Sequence, residues 1–430
     1  MNLPENSKHL LSFIGKTPTS YHSVLAGIRE LEAAGFAPLT LSKPWQLQAG
    51  GSYYISVYGT SLFAFTIGNQ PDGRLHIAAA HTDYPCIKVK PSPEITGKQY
   101  ARLNVTVYGG AILNTWLDRP LSVAGKVMTK SSDVFHPVSY IIDLKKPVLT
   151  IPNLAIHMNR KINEGIELNK QSDLLPLAAM VSEQLDKDHF FTRFLAEHIG
   201  VASEDILDFD LTIYLPEEGC FVGLNEDFIS SPRIDNQTSV VSCLQGLIQA
   251  GIPEHGINLI SLFDNEEIGS STKQGARSDV LKLTVEKLYA SLGFDALTAR
   301  DRMLSGFCLS LDVAHAIHPN KPEKCDPTNQ PYLNGGIVLK LDATQRYATD
   351  TESTAAFLQL CQKANIPYQT FVNRSDMIGG STLGSITSTK LPMYTVDLGV
   401  PMLAMHSARE LMGSQDQKAM DDCVTAFFAS

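Results

Sequence analysis

The sequence predicts an α/β protein whose principal domain is discontinuous, interrupted by a β-rich insert. Three observations point there. Residues 1–90 open with helical periodicity and pass into strand-like apolar runs. Residues 91–230 shift to short alternating strands. From residue 231 onward helix and strand patterns alternate to the C-terminus, the signature of a largely parallel sheet.

The elements follow in order. Thr17, Thr19 and Ser20 offer helix N-caps, Val24, Ile28 and Leu31 recur at helical spacing, and Gly35 supplies a stop. Strand-like runs cover 52–58, 62–67 and 75–80. In the insert, strands are expected over 102–108, 121–128, 138–144 and 209–215, with a helical stretch over 173–199. A helix carrying Val240, Val241, Leu244, Leu247 and Ile248 then precedes a buried strand over 257–263. The resulting division is a domain of residues 1–90 and 231–430 around an insert of residues 91–230.

Composition narrows the function. A chain of 430 residues, 43 % hydrophobic and 19 % charged, has ample material for a core and resembles no disordered sequence. No run approaches the roughly 20 apolar residues that cross a bilayer, so no membrane role is expected. Lys plus Arg number 35 against 45 Asp plus Glu, a formal charge of −10, and no basic patch offsets it; nucleic acid is not an expected partner. The seven cysteines are scattered without a C-x-x-C pair, and the N-terminus lacks the pattern of a signal peptide, so a cytoplasmic protein is expected. Simple catalytic motifs fail. Gly15-Lys16-Thr17 lacks a phosphate loop's first glycine, because Leu10 stands there, no H-E-x-x-H occurs, and Ser381 sits one place too early for a nucleophile elbow.

What remains is a constellation. Four apolar strand-like runs end in an imidazole or acidic side chain: 75–80 into His81-Thr82-Asp83, 257–263 into Asp264-Asn265-Glu266-Glu267, 307–311 into Asp312, and 394–398 through Gly399 and Pro401 to His406. Asp235 stands just ahead of a fifth element, a helix. Ligands of open α/β sheets bind beyond the carboxyl ends of the strands. Three carboxylates (Asp235, Glu267, Asp312) with His81 and His406 would suit two divalent ions, zinc first, with cobalt or manganese as substitutes. Glu266 is then the candidate general base, and Asp83 the candidate partner of the His81 ring. Each residue also has an ordinary reading: Asp235 and Asp312 as helix caps, His81 as a hydrogen-bonded histidine, Glu266-Glu267 as a solvated pair.

Longer blocks add a resemblance. Ala78-Ala79-Ala80-His81-Thr82-Asp83-Tyr84-Pro85, Asn114-Thr115-Trp116-Leu117-Asp118-Arg119, Ile151-Pro152-Asn153-Leu154-Ala155-Ile156-His157, Pro232-Arg233-Ile234-Asp235-Asn236, Asp264-Asn265-Glu266-Glu267-Ile268-Gly269, Gln345-Arg346-Tyr347-Ala348-Thr349 and Met405-His406-Ser407-Ala408-Arg409-Glu410 resemble, in order, the signatures of the aspartyl aminopeptidase family of dinuclear zinc aminopeptidases, its bacterial cytoplasmic members above all. The resemblance implies a zinc-exopeptidase-like αβα sandwich with an inserted β-rich dimerisation domain. It also implies that Asp235 bridges two metals, that His81 and Asp312 hold one, and that Glu267 and His406 hold the other. Glu266 would be the base and Asp83 the partner of His81. His157 would reach a neighbouring subunit's active site beside the reacting carbonyl, a metal role for it being the lesser option.

The implied substrates are peptides with a free N-terminus, Asp or Glu preferred, and Lys340 would meet the acidic side chain; Lys88 and Arg374 are the alternatives. The implied assembly is a homo-oligomer, a tetrahedral shell of twelve subunits built from dimers. Two departures stand out. Met377-Ile378-Gly379-Gly380 occupies a place where relatives often carry Cys-Gly, and Asn153 replaces a frequent His. Two other readings stay open: a carboxypeptidase or N-deacylase on the same sheet, and a non-catalytic self-assembling scaffold.

Overall fold

The computed structural model describes residues 4–165, 167–183 and 185–430. The chain folds into two compact units. One runs to Tyr84, resumes over Gly219–Met405 and closes with Glu410–Ser430; the other comprises Pro85–Glu218 and His406–Arg409.

Among the described residues, the first unit holds a nine-stranded sheet. Its order is Ala37–Leu39, Ser52–Val57, Ser61–Ile67, His255–Phe263, Gln70–His81, Phe307–Leu311, Tyr394–Gly399, Ile337–Leu341 and Tyr368–Val372. The four strands from His255–Phe263 to Tyr394–Gly399 are mutually parallel. Antiparallel pairs flank this parallel centre, starting with the hairpin of Ser52–Val57 and Ser61–Ile67. Tyr58 and Gly59 turn that hairpin with φ of 53° and 80°, the left-handed geometry that tight hairpins require.

The central strands read as unbroken apolar runs because both faces are covered. Ala78, Ala80, Ile260, Leu262, Leu309 and Leu311 face one core, shared with helices Glu5–Ile14, Ser20–Ala33, Ile234–Ala250, Thr351–Ala364 and Asp416–Phe428. Ile77, Ala79, Leu259, Phe263 and Cys308 face a second core against helices Val280–Ser291, Ala296–Leu304 and Leu383–Lys390. The period-two alternation of strand side chains thus feeds both outer layers of an αβα sandwich. Strands Cys220–Val222, Phe228–Ser231, Glu410–Gly413, Pro401–Leu403 and Ala314–His315 form a smaller sheet in the same unit.

The second unit is a six-stranded antiparallel sheet in the order Val138–Asp143, Ser122–Thr129, Ile206–Tyr214, Cys86–Gly97, Tyr100–Tyr108 and Leu177–Met180. The helix expected over 173–199 is found only as Phe190–Ile199; Leu177–Met180 is a strand. Pro176 explains the correction. It biases Leu175 away from helical dihedrals, and the next residue, Leu177, gives its N–H to the Thr150 carbonyl at 2.8 Å.

Candidate metal centre

The carboxyl ends of the parallel strands gather the acidic residues. His81 closes its strand opposite Phe263, and the following Thr82 N–H donates to the Phe263 carbonyl at 2.7 Å. Asp312, one residue past its strand, donates its N–H to Leu398 at 2.9 Å. The helix Ile234–Ala250 is sewn to these tips: Asn236 Nδ2 donates to the Leu311 carbonyl at 2.9 Å and Gln237 Nε2 to the Thr82 carbonyl at 3.1 Å. Asp235 and Asn236 depart from helical dihedrals, so the regular helix begins at Gln237. Asp235 N–H donates to the buried Glu410 carboxylate at 3.0 Å.

Within this frame His81 is buried, its Nε2 3.4 Å from Asp235 Oδ1 and 3.4 Å from Asp312 Oδ1. Ligand atoms of His81, Asp235 and Asp312 lie within 4.8 Å of one another, as do those of His81, Glu266 and Glu267. The other ring nitrogen, Nδ1, is 3.1 Å from the Asp83 carbonyl oxygen and 3.4 Å from Asp83 Oδ1. The Asp83 carboxylate has a second task, accepting the N–H of Glu266 at 3.1 Å and of Glu267 at 3.2 Å. It therefore clamps the acidic turn Glu266–Ile268, which Asn265 (φ 64°) and Gly269 (φ 92°) enter and leave in left-handed conformations.

Other candidates fall in different places. Lys340 is 2 % exposed; its Nζ donates to the Val313 carbonyl at 3.1 Å, lies 3.7 Å from Asp312 Oδ2 and sits 5.3 Å over the Tyr347 ring. Lys88 is paired with Asp210 at 2.7 Å in the second unit, and exposed Arg374 is paired with Asp376 at 2.7 Å. Both alternatives to Lys340 thus have a carboxylate of their own. His157 is exposed in the second unit. In the same loop Asn153 caps Asp118, donating its backbone N–H at 2.9 Å and its side-chain amide at 2.7 Å. His406 begins the short segment that belongs to the second unit, with its Nδ1 3.3 Å from the Gly110 carbonyl.

Sequence reasoning passed over Glu410 and Asp397. Glu410 lies inside a motif quoted above, and Asp397 is the one charged residue of the strand Tyr394–Gly399, which was the available signal.

The comparisons bear on this geometry. Residues 13–428 match the family model described as Aminopeptidase I zinc metalloprotease (M18). The chain belongs to the M18 family. A probable M18 family aminopeptidase 2 of Clostridium novyi is 44 % identical over 416 residues, 95 % of each chain. A chain in the solved Ape4 and Nbr1 complex is 32 % identical with a TM-score of 0.94, covering 100 % of this chain and 88 % of that one. The mApe1 dodecamer of S. cerevisiae is 28 % identical with a TM-score of 0.85, covering 99 % and 96 %. The protein is thus a metal-dependent M18 aminopeptidase with the mixed α/β fold the sequence led one to expect. Among the described residues no helix is long and apolar enough to cross a membrane.

The donor set of this M18 chain fits zinc. Imidazole and carboxylate are the donors, with no thiolate among them. The groups of this cluster also shift one another's protonation. Burial, compounded by the carboxylates of Asp312, Asp83 and Asp235 against a counter-pull from His81, lifts Glu266 to about 8. Burial and then Asp235 push Glu267 well above the carboxylate range. For His81, burial pulls the pKa down, but Asp235, Asp312 and Asp83 outweigh it and the net shift is upward. Acids that face one another in a buried place repel unless positive charge stands between them.

Proposed function

We propose that this M18 enzyme removes the N-terminal residue of peptides, acidic residues by preference, at a centre that takes two divalent ions. The observation that carries the reading is His81 Nε2 at 3.4 Å from both Asp235 and Asp312, beside the paired acids Glu266 and Glu267. His81 and Asp312 would hold one ion and Glu267 and His406 the other, with Asp235 shared. Zinc is the family's metal, and cobalt or manganese would suit the same donors. When bound, the ions polarise the scissile carbonyl and acidify the attacking water.

The chain's residues do the rest. Glu266 takes a proton from the attacking water and returns it to the leaving amine, while Asp83 fixes the backbone of Glu266 and the tautomer of His81. Lys340 receives the carboxylate of an Asp or Glu side chain, which a neutral side chain cannot match. His157 serves a neighbouring copy, donating to the developing oxyanion. That role needs a homo-oligomer built through the second unit, and the mApe1 dodecamer among the related structures supports one; the symmetry proposed is tetrahedral, with twelve subunits.

Elemental analysis of the purified enzyme alongside Asp-, Glu-, Leu- and Lys-anilides tests the reading. Two ions per chain and faster cleavage of Asp or Glu are expected; one ion, or a Leu preference, defeats the corresponding part. Glu266→Gln should lower kcat by about 10³-fold with metal content intact, and near-normal turnover would remove Glu266 as the base.

A further inference from the structure

One buried acid near this centre has no part in the chemistry above. Asp397 lies within Tyr394–Gly399, between buried Val396 and buried Leu398, and is itself 0 % exposed. Two loops converge on its carboxylate. Thr382 Oγ1 donates to Oδ1 at 2.5 Å, and the Ala348 N–H donates to Oδ2 at 2.6 Å. The Asp397 N–H in turn donates to Thr349 Oγ1 at 2.9 Å. Arg346 ties the same two loops directly, donating Nη1 to the Gly379 carbonyl at 2.5 Å. Gly384, in the first turn of the helix Leu383–Lys390 that follows the second loop, shows how close the approach is: a Cβ there would stand 2.4 Å from Asp397 Oδ2.

Between these loops and the metal ligands sits Lys340. Tyr347, which lies under its Nζ, belongs to the loop that Ala348 and Thr349 pin to Asp397. Three acids lie within electrostatic reach of the Lys340 ammonium, Asp312, Asp397 and Asp235. With Asp312 and Asp235 committed to cations, Asp397 is the carboxylate of the three that is left to Lys340.

We infer that Asp397 is a specificity-setting positioning residue: it fixes the loops 345–349 and 379–382 around Lys340 and partly neutralises the ammonium offered to an acidic substrate side chain. The inference rests on Lys340 being the side-chain subsite. A buried charge acts over several ångströms at protein dielectric, so the balance of Lys340 against Asp397 decides how strongly an acidic residue is favoured over a neutral one.

Two variants separate charge from geometry. Asp397→Asn keeps the shape, can still accept the Ala348 N–H, and faces Thr382 with an amide that its hydroxyl can accept; only the charge is lost. Thr382→Val keeps the charge and deletes one tether. The readout is the ratio of kcat/KM for a Glu-anilide to that for a Leu-anilide, with KM and kcat resolved for each. Asp397→Asn should raise the ratio about tenfold, through KM of the Glu substrate, and the gain should vanish in the Lys340→Met background. Thr382→Val should raise KM for both substrates at least about threefold while leaving their ratio within about twofold. A ratio in Asp397→Asn within twofold of wild type, or a gain that survives without Lys340, overturns the charge role; unchanged KM values in Thr382→Val overturn the loop role and need no Asp397 variant. A wild type without acidic preference, whose ratio Lys340→Met leaves unmoved, would instead defeat the subsite reading.

Discussion

Two buried acidic neighbourhoods in the first unit invite comparison. Beneath the C-terminal helix, Asp421 accepts from Ser242 Oγ at 2.6 Å, Gln417 Nε2 at 2.8 Å and Asn6 Nδ2 at 2.6 Å. Asp416 accepts the N–H groups of Asn334 at 2.7 Å and Gly336 at 3.0 Å. Each of these carboxylates is surrounded by neutral donors and faces no other acid at hydrogen-bond range among the described residues. At the strand tips the reverse holds: Asp235, Asp312, Glu266 and Glu267 are turned toward His81 and one another. Burial lifts acids in both places. The difference is that neutral donors of the fold surround the first pair, whereas the second group faces the His81 ring and, at Asp312, the Lys340 ammonium at 3.7 Å. A buried acid held by neutral donors organises structure; acids that crowd one imidazole make a candidate site for cations.

Substitutions should break the two neighbourhoods in different currencies. Asp235→Asn should weaken metal binding by well over tenfold, read by competition with a chelator. Glu410→Gln, at the carboxylate that accepts the Asp235 N–H, should weaken it by about 10–100-fold, as expected of a partner that orients a ligand. Asp421→Ala should leave metal content unchanged but lower stability by about 1–3 kcal/mol, because buried Ser242, buried Gln417 and half-buried Asn6 lose their acceptor; chemical denaturation monitored with a parallel metal assay separates the outcomes. If Asp421→Ala released metal, or Asp235→Asn cost only stability, the distinction between the neighbourhoods would fail.

The strand tips were legible because each is an apolar run ending abruptly in His, Asp or Glu, a pattern that parallel strands buried on both faces leave in sequence. Asp235 was legible through its place before a helix. What sequence could not show is which group meets which. Asp83 reads as a partner of the His81 ring, and its carboxylate, 3.4 Å from His81 Nδ1, also holds two backbone N–H groups of the acidic turn; main-chain donors have no signature in side-chain identity. Glu410 acts on Asp235 in the same way. Nor does the sequence announce that Lys88 and Arg374, the alternatives to Lys340, pair with Asp210 and Asp376. In the insert, apolar spacing over 173–199 imitated a helix, and one proline decided otherwise.

The comparison can be sharpened within a single strand, at smaller amplitude. His76 and His81 both lie on Gln70–His81, five positions apart. His81 is raised by the acids around it, whereas burial, followed by the nearby Arg74, lowers His76 to about 4; its ring lies 4.8 Å from that of Phe427. The sign for His76 follows from linkage. An unfolded histidine titrates near 6.5, so between pH 6.5 and about 4 the unfolded chain binds a proton that folded His76 refuses. Stability should therefore fall with acidification across that window, by up to about 1.4 kcal/mol per pH unit from this residue. His76→Leu should flatten the profile by that amount relative to wild type and leave the two curves parallel above pH 7. Parallel curves through the window as well would mean that His76 takes up its proton in the folded state, and that its apolar surroundings do not set it apart from His81.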